Sequence, residues 1–280
     1  MNRRRAGLVA VGIAVLLLSA AGGVVLYGEY LYRDTYGSTY EYDARFAANE
    51  SLSNLSVYVP VPESGGDVRL LGSNLSVRDE SIDVPANASV PSARLVDTQY
   101  GTMLALDAET FAVEKRYYRY AETNGTGERV EIPPSEYDPD DPSTVAVGER
   151  AVSVTVEVQA SERIDTAAPA GNEPLLAPRI GAKAAPCASP SFDTQACYRY
   201  DSRVFLAYDG PENVRTSVWV ETNGRNEWWV YGWSGNEYRD AVIGEYDGPQ
   251  RGWQTIAGTL EAGWGDYRSA PPANRSAASG

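Results

Sequence analysis

The chain has 280 residues, with 38 Asp or Glu against 24 Lys or Arg, so its formal net charge is −14 at pH 7. This acidity argues against a nucleic-acid partner, because a phosphate backbone repels an acidic surface. The chain contains no histidine, which excludes Ser-His-Asp and Cys-His nucleophiles and every zinc site that uses histidine. The glycine motifs that bind phosphates or dinucleotides are absent as well, so the sequence predicts no cofactor and no metal.

The first predicted element is an apolar segment behind a short basic flank. Three arginines at positions 3–5 precede residues 6–28, which carry no charged side chain. As a helix this run would be about 35 Å long, enough to cross a hydrocarbon core of about 30 Å. We therefore expect a cytoplasmic tail at 1–5, a transmembrane helix at 6–28, and the rest of the chain outside the cell membrane. A secretory signal peptide cleaved near the small residues 19–21 is the alternative.

Residues 29–39 are interpreted as a juxtamembrane stalk, after which the pattern changes to period two. Apolar side chains alternate with polar ones at Tyr40, Tyr42, Ala44 and Phe46, and again at Leu55, Val57, Val59 and Val61. Strict alternation of this kind is typical of half-buried strands. Pro60 and Pro62 predict that the second strand lies at a sheet edge or ends early, because proline cannot donate to a strand ladder.

Ten or eleven short strands with turns between them predict an all-β domain over residues 40–268, built like a β-sandwich or as two sandwich-like halves. The 19 tyrosines and 6 tryptophans agree with pleated, half-buried surfaces. Proline-rich segments at 133–142 and 165–190 are expected to be loops, and a boundary between halves is expected within 133–150. Residues 269–280 are expected to be a disordered tail.

The loop with Glu136, Asp138, Asp140 and Asp141 concentrates carboxylates, the ligands that calcium prefers. The central glycine and terminal glutamate of a recognised calcium loop are missing. We therefore expect a solvated acidic turn.

Six asparagines lie in Asn-x-Ser/Thr sequences that can accept an N-linked glycan in an exported protein. Roughly two such sites would be expected by chance from the serine and threonine content. The sites are Asn49, Asn54, Asn74, Asn87, Asn124 and Asn274.

The chain has two cysteines, Cys187 and Cys197. Outside the cell thiols oxidise, and no other cysteine competes, so we expect these two to form a disulfide. A bridge that closes so short a loop is worth roughly 2–3 kcal/mol in the chain-entropy model.

A β-hairpin is predicted at Asn223 and Gly224, because Asn-Gly is the preferred pair for a type I′ turn. This turn would pair residues 214–222 with 225–233 and place Trp219 opposite Trp228. We expect this hairpin to belong to the stable centre of the domain.

The aromatic run at 227–233 is the best candidate for a binding surface. In a strand, Trp229, Tyr231 and Trp233 would share one face, and Glu237 could add a polar contact nearby. Such rings stack on sugars or anchor protein partners. Burial of the same rings in the core is the competing interpretation.

An anchor followed by an acidic, Tyr/Trp-rich β domain resembles the uncharacterised membrane-anchored surface proteins of halophilic archaea. The resemblance is carried by Gly224-Arg225-Asn226-Glu227-Trp228-Trp229 and Gly235-Asn236-Glu237-Tyr238-Arg239-Asp240. The resemblance implies a location at the cell surface and a β-rich fold, and it implies no activity. The expected function is a non-enzymatic binding or scaffolding module with an envelope protein or glycan as partner. A carbohydrate-binding or carboxylate-based glycan-cleaving domain is the alternative.

Overall fold

The structure is a computed structural model that describes residues 22–63, 75–81, 88–123, 126–187 and 196–267. These residues form one α-helix (α1, residues 22–35) and a series of strands. The strands are β1 Gly37–Ala48, β2 Leu52–Glu63, β3 Arg78–Asp79, β4 Ser92–Thr98, β5 Gly101–Phe111, β6 Arg116–Thr123, β7 Thr126–Ile132, β8 Thr144–Val147, β9 Arg150–Gln159, β10 Leu175–Ala177, β11 Ile180–Ala185, β12 Ala196–Asp209, β13 Arg215–Trp229, β14 Trp233–Asp247 and β15 Arg251–Gly265.

Twelve of these strands form one curled antiparallel sheet. Its order is β3-β9-β1-β13-β14-β15-β12-β2-β5-β4, with β10 added beside β2 and β11 beside β12. The predicted all-β class is confirmed. Strands β6, β7 and β8 form a separate sheet in the order β7-β6-β8, and the predicted boundary at 133–150 overlaps its last strand.

The main core lies inside the curl, where strands from the two ends of the sheet face each other. Strands β1 and β2 follow one another in the chain but lie on opposite sides of this core, where the Tyr42 hydroxyl donates to the Pro60 carbonyl at 2.9 Å. Phe46 of β1 packs edge-on against Phe111 of β5, with ring centroids 5.5 Å apart. Burial alternates along β1 and β2 as predicted, so the inward residues are the apolar ones.

The predicted hairpin turn at Asn223 and Gly224 is wrong. Strand β13 runs straight through both residues, and the turn to β14 lies at residues 230–232. Gly224 is needed for a different reason: a Cβ there would lie 2.3 Å from Cε1 of Tyr238, its cross-strand partner. The missing side chain makes room for the tyrosine ring, and an aromatic ring that covers a glycine stabilises the pair of strands.

Two further expectations about strands are also wrong. Strand β2 continues through Pro60 and Pro62 and lies between β12 and β5. The register of β2 with β12 ends at Tyr58, so neither proline has to donate to β12, while Pro60 lies opposite β5 and Pro62 opposite β10. The segment 165–190 is not entirely loop, since it contains β10 and β11.

The predicted disulfide between Cys187 and Cys197 is confirmed, with the two Cα atoms 5.3 Å apart. It ties the chain just after β11 to the start of β12, which are neighbours in the sheet. The acidic loop folds on itself: Asp138 accepts the N–H of Asp140 at 2.9 Å, and Asp141 accepts that of Ser143 at 2.8 Å.

At the N-terminal end, α1 continues to Thr35 and β1 begins at Gly37, where the sequence suggested a stalk. Among the described residues, no helix is long and apolar enough to span a membrane. Most of the predicted span, residues 6–21, lies outside the described residues, as do the tail at 1–5 and residues 269–280.

Candidate functional site

The aromatic run lies at the end of the long hairpin formed by β13 and β14. We call residues 228–235 the hairpin tip. The neighbouring strand β1 pairs with β13 only as far as Glu227, and β15 pairs with β14 only as far as Asn236. The tip therefore extends beyond both neighbouring strands by two or three residues, roughly 7–10 Å.

The hairpin tip carries two exposed rings and one half-buried ring. Tyr231 is 60% exposed and Trp233 is 73% exposed, while Trp229 is half-buried with its ring 6.4 Å from that of Tyr231. The predicted binding residues Trp229, Tyr231 and Trp233 are thus brought together. Glu237 is not, because it lies four residues along β14, roughly 13 Å away, opposite Arg225 and Trp264.

Tyr231 occupies an unusual backbone position. Its φ of +56° lies in the left-handed region, which a bulky residue adopts only when the surroundings hold it there. Its ring lies at α1, where the Tyr231 hydroxyl donates to the Val24 carbonyl at 3.2 Å. The turn therefore positions this ring against the helix.

The inner side of the tip is covered by α1. Trp228 is 1% exposed and is the largest fully buried side chain among the described residues. Tyr32 packs edge-on against its ring at 5.3 Å, and Tyr36 stacks on it at 6.0 Å. Burial raises the pKa of both tyrosines above the ordinary value, so both stay neutral at physiological pH.

The Thr35 hydroxyl and a close approach at Gly28 fix the register between α1 and the hairpin tip. The Thr35 hydroxyl accepts the N–H of Trp229 at 2.8 Å and donates to the Leu31 carbonyl at 2.7 Å. Gly28 is buried, and a Cβ there would lie 3.5 Å from Val230 and 3.7 Å from Tyr231. The helix is therefore joined to the hairpin at three levels, near residues 24, 28 and 32–36.

A buried polar network supports the base of the tip. Asn226 and Asn236 are cross-strand partners, and the Asn226 amide donates to Asn236 Oδ1 at 2.8 Å. Asn226 also accepts from Ser38 and from the Ile164 N–H, while Thr166 donates to Asn236 at 2.5 Å. The amides also donate to backbone carbonyls, that of Asn226 to Ile164 at 2.9 Å and that of Asn236 to Asp266 at 2.8 Å. Both side chains are thus hydrogen-bonded through oxygen and nitrogen, which makes buried amides tolerable and favours one register.

A buried carboxyl group lies four residues beyond Asn236 along β14. Asp240 accepts from the Tyr200 hydroxyl at 2.8 Å and from the Leu176 N–H at 2.9 Å. Burial raises the pKa of Asp240 to about 6, although Arg179 and the two hydrogen bonds lower it. Both oxygens hold neighbouring elements in place, so this group has a structural role.

A second surface was missed by the sequence interpretation. It is a shallow cleft of about 480 Å³ on the outer face of the sheet, around the cross-strand pair Trp219 and Ile243. Arg45 at its rim forms ion pairs with Glu80 at 3.0 Å and Glu149 at 3.5 Å. Burial raises the pKa of the adjacent Asp43. The outward position of Trp219 could have indicated this cleft, but the turn predicted at Asn223 and Gly224 placed Trp219 opposite Trp228 instead.

Two of the six glycan acceptor sites lie among the described residues. Asn49 accepts the N–H of Arg215 at 2.7 Å, and Asn54 donates to Asp209 at 2.9 Å from an exposed position with φ +53°. Asn74, Asn87, Asn124 and Asn274 lie outside the described residues. Occupancy of all six sites stays a prediction.

The chain matches no protein-family model, no curated protein sequence and no solved structure. The resemblance to haloarchaeal surface proteins therefore stays a prediction. Its two motifs form the distal half of the hairpin, where Gly224, Asn226, Trp228, Asn236, Tyr238 and Asp240 point inward and are buried. The motif residues thus include those that build the base of the tip and seat the helix.

Proposed function

We propose that this chain is a single-pass, membrane-anchored surface protein whose β domain binds or positions envelope partners and carries no catalytic centre. The observation that carries the proposal is the packing on Trp228 of the hairpin tip by Tyr32 of α1 and by Tyr36, which directly follows α1. The first seven residues of α1 are also the last seven of the uncharged run 6–28. An anchor that enters the domain through a packed helix sets the orientation of the domain on the membrane.

The proposed orientation places the domain outside. The arginines at positions 3–5 favour a cytoplasmic N-terminus. A disulfide between Cys187 and Cys197 is stable where thiols oxidise, which agrees with an exported domain. The acidic composition with only two lysines, Lys115 and Lys183, supports a halophilic source, where high salt screens self-repulsion.

Protease treatment of intact cells that produce the full chain tests this proposal. We expect the β domain to be digested from outside and the mature N-terminus to retain the arginines at 3–5. A matched variant with these three arginines changed to glutamate should lose much of this orientation, because the charge bias has been removed. Recovery of free protein in the medium that begins near Gly22 would contradict the anchor and support signal-peptide cleavage.

Glycan binding is the second candidate, and the cleft at Trp219 favours it. An aromatic ring bordered by Asp43, Arg45 and Glu80 supplies both the stacking surface and the hydrogen-bonding groups that a sugar needs. Titration with soluble oligosaccharides should change tryptophan fluorescence, and Trp219→Phe should weaken binding while Trp253→Phe should not. Equal binding by wild type and both variants would exclude this cleft.

A further inference from the structure

We propose that the hairpin tip enters the lipid headgroup region beside the anchor, so that Tyr231 and Trp233 form a second contact between the domain and the bilayer. The proposal rests on the membrane anchor proposed above. It assigns the aromatic run a lipid surface as its ligand, where the sequence suggested a glycan or a protein.

The depth of the hairpin tip along α1 favours this contact. The uncharged run ends at residue 28, and Glu29 is the first charged side chain after it. The hydroxyl of Tyr231 reaches the carbonyl of Val24, four residues before that end, or roughly 6 Å along the helix axis. If residues 6–28 span the bilayer, the turn at 230–232 lies at the level of the last apolar turn of the anchor.

The amino-acid composition of the hairpin tip also favours a lipid surface. Residues 228–236 contain no charged side chain, whereas 22% of the whole chain is charged. Glu227 and Glu237 flank the tip just beyond this stretch. In an acidic protein, a projecting hairpin end without charges and with exposed rings matches the requirements of a membrane interface.

The end of the uncharged run in α1 carries exposed aromatic rings as well. Tyr27 and Tyr30 are exposed on α1, and their rings lie 6.4 Å apart. Together with Tyr231 and Trp233 they make four exposed rings on α1 and the hairpin tip. Tyrosine and tryptophan concentrate at the headgroup level because one part of each ring is apolar and another forms hydrogen bonds.

The test is quenching of tryptophan fluorescence by lipids that carry bromine near the headgroup end of their acyl chains. The full chain is reconstituted in vesicles of brominated or ordinary lipid. We expect strong quenching in wild type, and Trp233→Phe should remove about half of it or more, because this is the most exposed ring at the interface. Trp219→Phe is the matched control, since Trp219 lies ten residues from Trp229 along β13, roughly 33 Å from the tip.

Each outcome separates the tip from the anchor. A chain that fails to float with the vesicles would overturn both proposals. A chain that floats while Trp233→Phe leaves quenching unchanged would overturn the tip contact and leave the anchor standing. A tip that is shielded from a water-soluble quencher but not quenched by bromine would be covered by a second copy of the chain, which also overturns the lipid contact.

Discussion

The two ends of the β13–β14 hairpin have the same alternating pattern but are stabilised by different neighbours. The proximal half has a strand on each side, β1 next to β13 and β15 next to β14, and its inward Val218, Val220 and Val242 lie in the main core. The tip extends beyond both neighbouring strands, and its inward Trp228 is covered by α1. The proximal half therefore depends on the sheet, whereas the tip depends on the helix.

The outward residues differ in the same way. In the middle of the hairpin the outward side chains are charged and paired, as Arg239 is with Glu221. At the tip the exposed side chains Tyr231 and Trp233 are aromatic. Solvent suits the first set, and a membrane interface suits the second.

The largest expected effect separates the two sides of the tip. Trp228→Ala should lower the free energy of unfolding by about 3–5 kcal/mol, because it empties a buried aromatic site and removes the surface on which α1 packs. Trp233→Ala, at an exposed position, should change it by no more than about 0.5 kcal/mol. Denaturant unfolding of both variants makes the comparison, and equal losses would mean that both rings are buried.

The next effect concerns pH and the buried Asp240 of β14. Because burial raises the pKa of Asp240 to about 6, the folded state binds more protons than the unfolded state between about pH 4 and about pH 6. The free energy of unfolding should therefore fall as pH rises through this window, by on the order of 3 kcal/mol. Asp43, Glu221 and Glu237 act in the same direction, since burial raises the pKa of each.

The matched variants for this prediction are Asp240→Asn and Asp201→Asn. Asp240→Asn should flatten the pH dependence, while the same change at the exposed Asp201 should leave the slope as it is in wild type. A slope that is unchanged in Asp240→Asn would show that other groups produce it.

A smaller effect compares two glycines of the hairpin. Gly224→Ala should cost about 1–3 kcal/mol, because the new methyl group overlaps the ring of Tyr238. Gly232→Ala, in the turn of the tip, should cost no more than about 0.5 kcal/mol, because no atom lies within 4 Å of its Cβ position. Thermal unfolding of both variants compares the two losses of stability. A larger loss in Gly232→Ala than in Gly224→Ala would support the turn at Asn223 and Gly224 instead of the turn at 230–232.

Gly224 also shows which features of the fold local sequence patterns could predict and which they could not. Alternation in β1 and β2 predicted the buried face of each strand, and the presence of just two cysteines predicted their own pairing. Gly224 misled because its role depends on Tyr238, which reaches it only after β13 and β14 pair. The covering of Trp228 by Tyr32 joins residues 196 positions apart. Local patterns carry no information about such partners.

The smallest effect concerns the strained turn. In most strand positions alanine is more stable than glycine, but at Tyr231 the left-handed φ should reverse that order. We expect Tyr231→Gly to be more stable than Tyr231→Ala by about 1 kcal/mol. At Trp233, which lies within β14, alanine should be the more stable of the two replacements. The same preference at both positions would remove the argument for strain at the tip.

The central claim is that α1 and the hairpin form one rigid support between membrane and domain. Spin labels at Asp34→Cys and Ile243→Cys in the full chain in lipid nanodiscs test it, since both positions are exposed and the native cysteines are bonded to each other. A single narrow distance distribution is predicted, which Trp228→Ala should broaden. A distribution that is already broad in the chain with native Trp228 would mean that residues 29–39 are a flexible stalk, and it would contradict the account.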